Sequence, residues 1–183
     1  MRSAPILVTG LLLSFLALVF GGVLPAVRFT GERILITVRP ESVDVDGLYI
    51  YRNPWPFPWV QGLKVPFPVD SDHPAPATVR VWEEDAGTSR EIRVLWFNGA
   101  PHFSIRVPAQ GTSHVRVSYT QWARNASARY LLTTTHPWGR PLEWGEYQLV
   151  PRGVAIAWSN YPAQFRRFDF QPQQDWIFGW RRP

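Results

Sequence analysis

The chain has 183 residues and a formal net charge of +5, and it is rich in aromatic residues, with ten Trp, eleven Phe and six Tyr. It contains no cysteine, which excludes disulfides, zinc–thiolate sites, cysteine nucleophiles and iron–sulfur clusters. The basic residues are scattered through strand-like segments rather than gathered in runs, so nucleic acid is not an expected partner.

The N-terminal region carries the longest uncharged apolar stretch. After a short flank, residues 1–4, residues 5–27 contain no charged side chain. About 20 apolar residues in a helix span the hydrocarbon core of a bilayer. The stretch is longer than the apolar core of a secretory signal peptide, which favours an uncleaved signal-anchor over a cleaved signal, although cleavage is an alternative. We therefore expect a single-pass protein of the cell inner membrane with its C-terminal domain on the periplasmic or extracytoplasmic side.

Small side chains recur along this apolar stretch. They would allow a neighbouring transmembrane helix to approach closely. The expected partners are thus integral membrane protein subunits and the lipid bilayer. The small residues that define this helix-binding face are Gly10, Ser14, Ala17 and Gly21.

Residues 28–158 change to a period of two, which is the strand period. Residues 33–38 and 43–51 alternate in this way, and residues 78–83 and 90–97 alternate around a Gly-containing turn. Residues 128–134 also read as a strand. Short strands with one apolar face, separated by Gly and Pro turns, predict an all-β fold, an antiparallel immunoglobulin-like β-sandwich.

Two loops are unusually aromatic. In residues 53–59 proline alternates with aromatic side chains, which favours an extended loop because proline donates no backbone hydrogen bond. A second loop, residues 136–141, contains one tryptophan. Aromatic side chains are enriched at protein interfaces. The loop residues predicted to bind a partner are Trp55, Phe57, Trp59 and Trp138.

The C-terminal segment, residues 159–183, combines aromatic and arginine side chains. Disordered tails are poor in aromatics, so we expect this tail to dock on its own domain, on a partner protein or at the membrane interface. As a docking element, it should be removable from residue 165 onward without unfolding the sandwich. The tail residues predicted to bind a partner are Phe165, Arg166, Arg167, Phe168, Phe170, Trp176, Phe178, Trp180 and Arg181.

No catalytic or metal-binding pattern stands out. The four histidines are isolated from one another, and Asp44 and Asp46 lack the further oxygen ligands of a calcium loop. We therefore expect no enzyme activity, no metal and no cofactor. The sequence favours a non-catalytic accessory or structural subunit of a larger membrane complex, of the photosynthetic, respiratory or envelope kind. The alternative is a membrane-anchored glycan- or cell-wall-binding module that uses exposed loop tryptophans.

Overall fold

The computed structural model describes residues 27–85 and 87–183. In this part of the chain thirteen strands and one short 3₁₀ helix, Leu132–Trp138, account for the regular structure. The strands are β1 Arg28–Val38, β2 Ser42–Arg52, β3 Trp59–Lys64, β4 Val79–Asp85, β5 Thr88–Ile92, β6 Leu95–Phe97, β7 Ala100–Val107, β8 Thr112–Trp122, β9 Ser127–Tyr130, β10 Leu142–Pro151, β11 Ala155–Ser159, β12 Gln164–Phe170 and β13 Trp176–Arg181.

One large sheet forms the base of the fold, with the strand order β12-β10-β1-β2-β8-β4-β5. Most neighbours in it are antiparallel, but β1 and β10 are parallel, with Gly31 opposite Trp144 and Val38 opposite Pro151. The sheet is therefore mixed, and the prediction of a purely antiparallel sandwich needs correction. Local alternation predicts a strand but carries no information about which distant strand it pairs with or in which direction.

Two smaller sheets, β11-β13-β9 and β3-β7-β6, complete the molecule. One apolar cluster joins β1, β2, β10 and β12 to β9 and β13, and it includes Ile34, Tyr147 and Trp176. A second cluster joins β2, β4 and β8 to β7, and it includes Val81 and Phe103. Layers of sheet that share buried side chains are the arrangement of a β-sandwich.

The predicted transmembrane helix is not part of the fold that the structure describes. No helix in residues 27–85 and 87–183 is long and apolar enough to cross a membrane. The regular structure of the described residues is strand, apart from one helix of seven residues. Residues 1–26, which hold almost all of the predicted helix and its small-residue face Gly10, Ser14, Ala17 and Gly21, lie outside the described residues.

The C-terminal segment is not a separate tail. Strand β12 pairs with β10 at one edge of the large sheet, and β13 is the middle strand of the sheet β11-β13-β9. The side chains of Trp176 and Phe178 are fully buried. Four aromatic side chains of this segment, Phe165, Trp176, Phe178 and Trp180, are therefore core residues.

An aromatic cavity with a buried carboxyl group as candidate functional site

A cavity of about 700 Å³ lies between the large sheet and the edge formed by β3 and the 3₁₀ helix. Its floor comes from β1, β2 and β8, and its rim comes from β3, from the prolines that follow β3, and from the end of the 3₁₀ helix. We call this space the aromatic cavity. The aromatic residues that line it are Phe29, Tyr49, Tyr51, Trp59, Phe103, Tyr119, Tyr130 and Trp138.

The buried acid in this cavity is Glu32, on β1. Ile34, Ile36 and Val38 occupy the inward-facing positions of β1, and Glu32 continues that series two residues earlier. Its side chain is only 3% exposed, as little as its apolar neighbours. A register shift between β1 and β2 at Phe29/Gly31 lets Phe29 line the same cavity as Glu32.

The carboxyl group of Glu32 makes one hydrogen bond within the described residues. The Tyr147 hydroxyl donates to Oε1 at 2.6 Å, whereas Oε2 accepts no hydrogen bond there. In the same part of the chain no fully buried side-chain oxygen or nitrogen lacks a partner. Because Oε2 has no partner, it is not fully buried, and Glu32 lines the cavity.

Burial controls the ionisation of this site. Desolvation raises the pKa of Glu32 to about 7, although the hydrogen bond from Tyr147 opposes the shift. Burial also raises the pKa values of Tyr49, Tyr51, Tyr119 and Tyr130, so these phenols remain neutral. Near neutral pH the cavity can therefore hold either a neutral carboxyl or one negative charge.

Two glycines make room for the tyrosines around Glu32. A Cβ added at Gly145 would lie 2.5 Å from the Tyr147 hydroxyl, and one added at Gly47 would lie 2.5 Å from the Tyr49 hydroxyl. Each ring therefore lies back along its own strand, over the glycine two residues before it. Gly145 and Tyr49 are the register partners of Glu32 on β10 and β2, so both rings lie next to the carboxyl group.

The hydroxyl of Tyr49 reaches across the layers. Its oxygen lies 2.9 Å from the hydroxyl oxygen of Tyr130, on β9, and the two groups share a hydrogen bond. This bond ties the large sheet to the small sheet β11-β13-β9 at the edge of the cavity. It also satisfies two polar groups that would be costly to bury unpaired.

One wall is a cluster of rings in contact. The ring centroids of Phe29 and Tyr51 are 5.2 Å apart, and Trp138 lies 5.6 Å from Phe29 and 5.5 Å from Tyr51. Separations of this size are favourable for aromatic pairs. The wall is therefore formed by side chains that hold one another in place without a ligand.

The rim carries the remaining polar groups. Gln61, Lys64 and Thr134 line the cavity there, and Lys64 is exposed. Among the described residues that line the cavity, Glu32 and Lys64 are the side chains that carry charge. The charge at the floor is thus negative when Glu32 ionises, and the charge at the mouth is positive.

The predicted loop residues separate into two groups. Trp59 and Trp138 line the cavity. Trp55 is half-buried and Phe57 is exposed on the loop before β3, where Phe57 lies 6.1 Å from the Trp59 ring. Asn53 organises this loop by accepting from the Trp55 backbone amide and donating to the Phe57 carbonyl. Trp55, Trp59 and Trp138 are each half-buried rather than fully exposed.

The predicted tail residues also separate by burial. Phe165, Trp176, Phe178 and Trp180 are buried in the core, so their side chains offer no contact surface in this structure. Phe170 is half-buried, and Arg166, Arg167, Phe168 and Arg181 are exposed. The Arg166 guanidinium lies over the Phe168 ring at 4.8 Å, a cation–π contact on the outer face of β12.

Sequence reasoning missed the acid and most of its aromatic neighbours. The sequence did contain a signal, because side chains two residues apart face the same side of a strand. Glu32 therefore faces the same side of β1 as Ile34, Ile36 and Val38. A predicted strand that begins at residue 33 leaves Glu32 in the preceding loop and hides this signal. The described residues contain no group of three or more His, Asp or Glu side chains placed to hold a metal ion.

No protein-family profile and no curated protein matches the chain. Among solved structures it is similar to a candidate nutrient-binding protein from Legionella pneumophila, with a TM-score of 0.62 and 14% identity over 85% of this chain and 67% of the other. It is also similar to an M1 zinc metallopeptidase from Deinococcus radiodurans, with a TM-score of 0.44 and 9% identity over 85% of this chain and 42% of that one. The first likeness concerns the fold alone, and the second is too distant to carry an argument.

Proposed function

We propose that this protein is a binding module for a small, largely apolar organic molecule, which it holds in the aromatic cavity. The observation that carries the proposal is the cavity itself, about 700 Å³ lined by eight aromatic side chains and one buried carboxyl group. Ligand sites typically have this size and this composition, a mostly apolar wall with a few placed polar groups.

The state of the walls supports the proposal. Phe29, Tyr51 and Trp138 hold one another in contact, and the hydrogen bond between Tyr49 and Tyr130 links two sheets beside them. A ligand that enters a preformed site does not bear the entropic cost of ordering it. The Legionella structure shares the fold only, so the proposal rests on the cavity and not on that likeness.

A dye-binding measurement tests the proposal. The neutral apolar dye 1-N-phenylnaphthylamine should bind the wild-type protein with an increase in fluorescence, and Gln61→Trp should weaken this binding by about tenfold or more. Gln61 is half-buried at the cavity rim, so an indole there would fill the entrance. Gln148→Trp is the matched control, because Gln148 is exposed on β10 and does not line the cavity.

Two results would count against a binding role for the cavity. One is the absence of any dye signal with folded wild-type protein. The other is equal dye affinity for Gln61→Trp and Gln148→Trp, which would place the dye elsewhere on the surface. Both variants should first show the circular dichroism spectrum of the wild type.

A second candidate function is the accessory role in a larger complex. The observation that favours it is β6, where Leu95, Trp96 and Phe97 are all exposed at the edge of the sheet β3-β7-β6. Contiguous exposed apolar residues on an edge strand are typical of surfaces that pair with a strand of a protein partner. Co-migration with a partner in native extracts, lost on Leu95→Ser with Phe97→Ser, would support this role; migration alone would oppose it.

A further inference from the structure

We propose that the aromatic cavity selects an organic cation, an amine with an apolar or aromatic body, whose ammonium group pairs with the carboxylate of Glu32. The inference rests on the proposed binding function and specifies its ligand class. Three features of the cavity support it: a carboxyl oxygen without a hydrogen-bond partner among the described residues, aromatic rings that line the same cavity, and the distribution of charge between floor and mouth.

The first feature is the unused acceptor. Tyr147 occupies Oε1 of Glu32, and Oε2 accepts no hydrogen bond from the described residues. No cationic side chain in this part of the chain forms an ion pair with Glu32, whereas most other glutamates there are paired with arginine. A buried carboxylate is costly without a cation or donors, and an ammonium group from a ligand would supply both.

The second feature is the aromatic lining. The rings of Phe29, Tyr49, Tyr51 and Tyr119 line the same cavity as the carboxyl group. Aromatic faces attract a cation through the ring quadrupole, and the attraction is stronger in a site from which water is excluded. An amine can therefore contact both the carboxylate and the rings, whereas a neutral ligand contacts the rings without this gain.

The third feature is the placement of charge. The buried position is negative when ionised and the exposed rim position, Lys64, is positive. An anionic ligand that enters deeply would meet a like charge at low dielectric, where repulsion is strong. A cation bypasses Lys64 at a solvent-exposed mouth, where the charge is screened by water.

Binding of an ammonium group requires the ionised carboxyl, so affinity should depend on pH. The groups that face Glu32 are Tyr147 on β10, Tyr49 and Tyr51 on β2, Tyr119 on β8 and Tyr130 on β9, with Lys64 at the rim on β3. The tyrosines stay neutral because burial raises their pKa values. With a pKa of about 7 for Glu32, the ionised fraction and hence the amine affinity should rise about tenfold from pH 6 to pH 8.

The experiment compares two probes that differ in charge but hardly in size, 4-phenylbutylamine and 4-phenylbutan-1-ol. Calorimetric titration at about pH 8 should give at least about tenfold tighter binding of the amine to the wild type. Glu32→Gln should bring the two affinities to within about twofold of each other. Glu41→Gln, an exposed glutamate outside the cavity, should retain the wild-type ratio.

The outcomes separate this inference from the proposed function. If the alcohol and 1-N-phenylnaphthylamine bind but the amine has no advantage at pH 8, the inference is wrong and the binding function stands. If none of the three binds folded protein, both are wrong. If Glu32→Gln does not fold, binding to the wild type at pH 6 and pH 8 decides the question. A ratio of amine affinity to alcohol affinity that is the same at both pH values overturns the inference.

Discussion

At the scale of single residues, Glu32 is a buried acid at a position where stability alone would favour an apolar side chain. Its side chain faces inward from β1, as do those of Ile34, Ile36 and Val38. Its carboxyl group accepts one hydrogen bond from the described residues, donated by Tyr147. An apolar residue there would avoid the cost of desolvating an acid. Acids with strongly perturbed pKa values in a cleft are concentrated at functional sites.

The raised pKa of Glu32 predicts how stability depends on pH. The folded protein holds the proton up to about pH 7, whereas the unfolded chain releases it near pH 4.5, so between these values the folded state binds more protons. The free energy of unfolding must then fall as pH rises through this range. Between pH 5 and pH 8 we expect the ionisation of Glu32 to lower the free energy of unfolding by about 2 to 3 kcal/mol.

Urea denaturation of the wild type and of Glu32→Gln across this pH range measures the effect. The variant cannot titrate at residue 32, so its stability should change less than that of the wild type by the stated amount. Glu41→Gln, at an exposed site, should follow the wild-type curve. Parallel curves for the wild type and Glu32→Gln would show that the acid has an ordinary pKa.

At the scale of elements, the glycine–tyrosine pairs on β2 and β10 position the site. Gly145→Ala would place a methyl group 2.5 Å from the hydroxyl and within 3 Å of the ring of Tyr147, which is fully buried and cannot move outward. We expect a loss of about 1 to 3 kcal/mol of stability from this overcrowding. We also expect the pKa of Glu32 to rise further, because its hydrogen bond from Tyr147 is displaced.

Two comparisons separate these effects. Gly62→Ala on β3 adds the same methyl group where no atom lies within 4 Å of it, so it should lower the free energy of unfolding very little. Tyr147→Phe removes the hydroxyl without crowding, so it should raise the pKa of Glu32 as Gly145→Ala does. Denaturation gives the stability, and the pH midpoint of the stability change gives the pKa. Equal stability of the two alanine variants would show that Tyr147 has room to move.

The elements themselves differ in how far sequence could predict them. Strands β4 and β5 pair as predicted from their alternation, but the predicted strand of residues 90–97 divides into β5 and β6, which belong to different sheets. Residues 128–134 were predicted as one strand, but β9 ends at Tyr130 and a 3₁₀ helix begins at Leu132. The start of this 3₁₀ helix is held by Asp175, which lies 42 residues from Thr133 in sequence. Its carboxylate accepts hydrogen bonds from the backbone amide and the hydroxyl of Thr133. Long-range contacts of this kind leave no local signal.

The site was less accessible from sequence than the strands. Trp59 and Trp138 were identified as unusual, but their role as cavity wall depends on β3 lying opposite the 3₁₀ helix. The contact of Tyr147 with Glu32 depends on the parallel pairing of β1 with β10. Sequence therefore predicts the inward-facing residues of the strands that it identifies, and the pairing of strands decides which of these residues meet.

At the scale of the whole molecule, the chain end completes the core rather than extending from it. Trp176 makes edge contacts with Tyr147 at 6.1 Å and Phe165 at 5.1 Å, and its indole nitrogen donates to the Ser159 hydroxyl at 2.9 Å. These contacts link β13 to β10, β11 and β12. Removal of residues 165–183 would expose the inward faces of β1 and β10, so from the structure we expect that the sandwich does not survive without this segment.

The last prediction is that Trp176→Ala lowers the free energy of unfolding by about 3 to 5 kcal/mol, whereas Trp158→Ala lowers it by about 1 kcal/mol or less. Both remove an indole from the sheet β11-β13-β9, but Trp176 is fully buried and Trp158 is 52% exposed. A chain truncated before Phe165 should lack a cooperative unfolding transition. Urea denaturation, monitored by circular dichroism, measures the unfolding of the two alanine variants and of the truncated chain. The contrary result would be an equal loss of unfolding free energy for the two alanine variants, together with cooperative unfolding of the truncated chain. The strands before residue 165 would then form a core of their own. The cavity would not depend on the C-terminal strands.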